Sequence, residues 1–90
     1  MNKQRRKTLA DLIDQIDALR GKIEDIKSEI ETARDEEQET YDNMPESFQN
    51  GEKGEKAQTA IDAMEEAISA LECMDTDVDT AIEAMNTASE

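Results

Sequence analysis

The chain has 90 residues, of which 24 are acidic, 10 are basic and none is histidine, giving a formal charge of -14. That length allows one domain with a modest core. A surface this one-sided repels nucleic acid and anionic membrane and attracts basic protein surfaces. Direct nucleic-acid contact and membrane binding are therefore set aside, and a protein partner is expected.

Aromatics are nearly absent, Tyr41 and Phe48 being the two, and the apolar residues are mostly Ile, Leu, Met and Ala. Their regular spacing predicts long helices packed along narrow seams, an all-α fold. No apolar run is long enough to span a membrane. Lys3, Arg5, Arg6 and Lys7 resemble the charged start of a signal peptide, but Thr8-Leu9-Ala10-Asp11 follows where an apolar stretch is required. Residues 1–7 are expected as a basic frayed tail. The lone Cys73 fits a reducing cytoplasm.

The first helix is predicted over 8–43. Leu9, Leu12, Ile16, Leu19, Ile23, Ile26, Ile30 and Ala33 alternate spacings of 3 and 4, the pattern of a coiled-coil seam. Leu9, Ile16, Ile23 and Ile30 take position a; Leu12, Leu19, Ile26 and Ala33 take d. This seam, Leu9 to Ile30, is expected to hold a homodimer. Flanking charges leave its orientation open: Glu29 and Arg34 attract across a parallel pair, whereas Lys22 and Lys27 repel. An antiparallel pair sets Arg20, Lys27 and Arg34 against their own copies.

The seam fades among Asp35, Glu36, Glu37 and Glu39, and Pro45 stops the helix. A turn is predicted over 44–50, with Asn50 capping a second helix over 51–88. In that helix Ala57, Met64, Leu71, Val78 and Met85 share one heptad position, and Ala60, Ala67, Met74 and Ala81 another. With Ile61, Ile68 and Ile82 beside them they form an apolar face about 160° wide. Asp75-Thr76-Asp77-Val78-Asp79-Thr80 is poor in helix formers, and Thr76 with Asp79 offers a capping box for a separate helix near 75–77. The unshifted apolar frame favours continuity. Two such helices make an antiparallel hairpin, and two hairpins a four-helix bundle.

Chemistry finds little footing in this chain. Asp75, Asp77 and Asp79 begin like a calcium loop, but Thr80 and Asn86 stand where Gly and Glu are required. There is no His, no Gly-rich phosphate loop and no Cys paired with a base; Glu72 and Asp75 beside Cys73 would repel a thiolate. Neither catalytic residue, metal nor cofactor is expected.

The acids are the informative feature. From Ala57 to Glu90 there are nine acids and no Lys or Arg. Asp62, Glu65, Glu66, Glu72, Asp79 and Glu83 take outer positions of the second helix, where a helix built for stability would mix in bases to gain i,i+4 pairs. With Glu29, Asp35, Glu36, Glu39 and Asp42 they are the candidate partner-binding residues. Over a bundle roughly 50 Å long, two copies carry about one net charge per 1.8 Å, near the 1.7 Å of duplex DNA.

The turn Asp42-Asn43-Met44-Pro45-Glu46-Ser47-Phe48-Gln49, followed by Ala60-Ile61-Asp62-Ala63-Met64-Glu65-Glu66-Ala67, resembles a pattern of small acidic helical proteins encoded by phages and prophages. Those proteins commonly show an Asn-Leu-Pro-Glu-Ser-Leu-Gln-like turn; Met44 and Phe48 here replace the more usual Leu. The resemblance covers about the middle 40 residues. The group has no firmly assigned activity, so the resemblance implies a phage origin, hence the cytoplasm of a bacterial host, and no mechanism. By charge, helicity and size alone the chain is also similar in kind to DNA-mimicking inhibitors of nucleases and restriction enzymes. The expected function is to bind and inhibit a basic host defence protein. The alternative is a structural or assembly coiled coil that docks through its apolar faces.

Overall fold

A computed structural model describes residues 1–90. The fold is all-α: α1 spans Lys3–Asp42, α2 Glu46–Gln49 and α3 Glu52–Ala88. The chain divides into two compact units, one of Met1–Asp25 with Leu71–Glu90 and one of Ile26–Ala70.

In the first unit, α1 begins at Lys3, so the segment expected as a frayed tail is helix. Its start is fixed by Asn2, whose Oδ1 accepts the Arg5 N–H at 2.8 Å while its carbonyl accepts that of Arg6. This is N-cap geometry, and it satisfies donors that the first turn leaves without partners. Arg6 in turn donates to the Ser89 and Glu90 carbonyls, so a cation meets the negative end of α3. Arg20 reaches Asp75 and Asp79. Arg6 against Ser89 and Arg20 against Asp75 define one antiparallel register. The same register sets Ile13 opposite Ile82.

The residues of α1 that turn inward in this unit are Leu9, Ile13, Ile16, Arg20 and Ile23, of which Ile23 is buried. Their spacings, 4, 3, 4 and 3, use position a of the predicted seam together with position e, not d. The d residues stand out in solvent: Leu12 is 44% exposed and Leu19 57%. The predicted seam is thus split. Its a positions join the contact between helices, and its d positions are left over. The e positions contribute because the long stem of an Arg covers apolar surface while its head reaches a carboxylate.

α3 runs unbroken through Asp75–Thr80. The Thr76 hydroxyl donates to the Glu72 carbonyl at 3.4 Å and the Thr80 hydroxyl to the Thr76 carbonyl at 3.2 Å. These threonines bond back one turn within a helix instead of capping a new one.

In the second unit the chain reverses between α1 and α3. The backbone N–H of Met44 and the side-chain amide of Gln49 both donate to the Tyr41 carbonyl, at 3.1 and 2.8 Å. That oxygen is among the acceptors that a helix end leaves open. The Pro45 carbonyl opens α2 by accepting from Phe48 and Gln49. Asn50 lies at the C-terminus of α2 and not at the start of α3. Gly51 takes the capping place instead, its carbonyl accepting from Glu55 at 3.0 Å.

The core of this unit is Ala57, Ile61 and Ile68, together with Gly54. Gly54 is buried because α2 comes down onto it: a Cβ there would overlap the main chain of Gln49. The absence of a side chain permits the close approach. On α1, Lys27, Ile30, Arg34 and Tyr41 are half-buried, whereas Ile26 and Ala33 are exposed.

Candidate protein-interaction surfaces

No pocket opens in either unit, and no three acids or cysteines gather into a metal site. Asp75, Asp77 and Asp79 lie on continuous helix, which cannot wrap a cation as a calcium loop does. Cys73 is exposed. No helix is long and apolar enough to cross a membrane. The surfaces that remain are the acids and the left-over apolar stripe.

All eleven candidate partner-binding acids are exposed, but their surroundings differ. In the first unit Asp79 is committed to Arg20. The guanidinium also meets Asp17 at 3.3 Å and faces Asp75 at 3.7 Å. The last contact is an ion pair too long for a hydrogen bond, and Arg20 Nε and Asp75 Oδ1 are buried without hydrogen-bond partners. Asp79 thus remains exposed and at the same time helps hold α1 to α3. The reason is register: Arg20 sits opposite Asp75, and Asp79 lies one turn further along α3. Glu72 and Glu83 are exposed in the same unit.

In the second unit Asp35 is engaged by Arg34 at 3.1 Å, Asp42 by the Gln38 amide at 3.0 Å and Asp62 by the Gln58 amide at 3.0 Å. Glu29, Glu36 and Glu39 line the outside of α1, and Glu65 and Glu66 the outside of α3. At 100° per residue these acids point away from the helix contact on both partners. They coat the unit and do not converge on one face. The second unit holds 13 acids against 4 bases, a charge of -9, and the first holds 11 against 6, a charge of -5.

The apolar stripe is more concentrated. In the first unit the helical angle that turns Leu12 and Leu19 out of the contact turns Met74 out on the same flank, with half-buried Ala81 at its edge. Met74 is 47% exposed. The opposite flank carries the cluster of Asp17, Arg20, Asp75 and Asp79. Sequence reasoning found Leu12, Leu19 and Met74 but not the separation of flanks. Ile13, spaced 4 from Leu9 and 3 from Ile16, was the available sign of it.

Comparison of the chain with protein-family models, curated proteins and solved structures returns no match to any of them.

Proposed function

We propose that this protein is a phage or prophage accessory protein that dimerises into an acidic four-helix bundle and inhibits a basic host protein. The target is one that handles nucleic acid, such as a nuclease of a defence system, in the bacterial cytoplasm. One observation carries the reading: Glu65, Glu66 and Glu83 stand exposed on a helix with no base anywhere beyond Lys56. Such a surface gains nothing for its own helix and attracts cations on another protein.

A helix of 40 residues is about 60 Å long. Two copies would then carry about one net charge per 2 Å, against one per 1.7 Å of duplex DNA. That density lets the bundle compete for a groove built for a polyanion without imitating the shape of DNA.

The test is capture of a basic nucleic-acid-binding protein from bacterial lysate, followed by competition with duplex DNA. Release by DNA and by salt is expected, with loss of capture for the double variant Glu65→Lys/Glu66→Lys. A partner that survives high salt, ignores DNA and binds the double variant would overturn the reading. It would support the second one, an assembly module docking through apolar faces, which the exposure of Leu12, Leu19 and Met74 favours.

A further inference from the structure

We infer that a second copy of this chain covers the flank of the first unit formed by Leu12, Leu19, Met74 and Ala81. The inference rests on the dimeric reading above and names the face and residues that close the dimer. That face is not the contiguous seam from Leu9 to Ile30. Leu9, Ile16 and Ile23 are already turned toward α3, and Ile23 is buried there. What α1 has left to offer is its d stripe.

Charge selects the occupant. On this flank, between Leu12 and Lys22 of α1 and between Met74 and Ala84 of α3, the charged residues are Lys22 and Asp77, one of each sign. The neighbouring acids Asp14, Asp17, Asp75, Asp79 and Glu83 all fall on other faces of their helices. A basic partner finds no counter-charge here. A second acidic copy can approach most closely where its own acids are absent, because repulsion between like charges falls with their separation.

Area agrees. The chain exposes 6513 Å², against roughly 5,300 Å² expected for a folded protein of its mass. The excess, roughly 1,200 Å² over the whole chain, is of the order of the roughly 800 Å² that each partner buries in a stable interface. Half of the six large apolar side chains left exposed are Leu12, Leu19 and Met74, and exposed apolar side chains gathered on one flank mark an interaction site.

Sedimentation equilibrium on the full chain tests this. The wild type is expected to be a dimer, and Leu12→Glu/Leu19→Glu a monomer that keeps its helical circular dichroism. Its dissociation constant should rise roughly a hundredfold or more, since each buried carboxylate lacks a partner. Because the chain has no Trp, Leu19→Trp gives a second readout: its emission should shift to the blue as concentration drives dimerisation. A monomeric wild type, a dimer unaffected by the two Glu, or Trp emission independent of concentration would each overturn the inference. Should Leu12→Glu/Leu19→Glu unfold, the Leu19→Trp result decides. A monomeric wild type with lysate capture intact would sink this face and spare the acidic reading. A dimer through this face with no basic partner captured would do the reverse.

Discussion

The two units of this protein are made from the same pair of helices and hold together by different means. The unit of Ile26–Ala70 is closed by apolar packing: Ala57, Ile61 and Ile68 are buried, and Gly54 lets α2 lie directly on α3. The unit of Met1–Asp25 and Leu71–Glu90 buries one large side chain, Ile23, and is tied instead by Arg6 and Arg20. It also leaves Leu12, Leu19 and Met74 in solvent. The more highly charged unit is thus the better packed. Where acid is densest the apolar contact must offset the repulsion; where acid is sparser, room remains for an apolar flank that another molecule can use.

Substitutions can break or sharpen this contrast. The largest effect is expected for Ile61→Ala in the packed unit. Ile61 is 2% exposed, so its truncation removes buried apolar surface and leaves a cavity, at a cost of about 3 kcal/mol. Thermal unfolding should show it, and a loss under 1 kcal/mol would mean that this core is soft. Gly54→Ala comes next. Replacing a helical Gly by Ala ordinarily stabilises by up to about 1 kcal/mol, but in this first turn of α3 the Cβ meets the Gln49 main chain. A net loss of about 1–2 kcal/mol is expected, typical of overpacking. A gain in thermal stability would show that α2 moves aside freely.

In the ion-paired unit the effects should be smaller. Arg20→Ala removes partly exposed pairs to Asp17, Asp75 and Asp79 together with the packing of the Arg stem. About 1 kcal/mol is expected, and the loss should shrink as salt rises. Asn2→Ala should cost about 0.5–1 kcal/mol through loss of the cap. Amide exchange should then rise over Lys3–Lys7, leaving Ile61 and its neighbours unchanged. Faster exchange at Ile61 would mean that the two units unfold together.

Much of this architecture was legible in the sequence. Heptad spacing and Pro45 marked two long helices and the place where the chain turns, because periodic apolar residues and a residue that cannot continue a helix are local signals. The choice of flank was not legible in the same way. Leu9 and Ile16 are bridged equally well by Leu12 or by Ile13, and only the packed register of α1 against α3 selects Ile13. Arg20, Lys27 and Arg34 follow Ile13 at seven-residue steps and read as charges flanking a seam between two copies. Whether their stems line a contact depends on what lies opposite, such as Asp75, 55 residues away along the chain. The basic head reads as a frayed tail because chain ends fray unless something ties them down, and four cations at a helix start are unfavourable. Asn2 and the carbonyls of Ser89 and Glu90 reverse that balance. The outer acids, by contrast, follow from helical position alone, and Asp79 shows that a carboxylate at such a position can also reach a cation on the facing helix.

The most direct test of a division between an apolar face for self-association and an acidic surface for a partner is sedimentation equilibrium of the wild type across a salt series. Two copies of charge -14 repel, and salt screens that repulsion while leaving apolar burial intact. The dimer is expected to tighten as sodium chloride rises from low to physiological strength and beyond. A dimer that loosens with salt would place exposed charge pairs in the interface and contradict it.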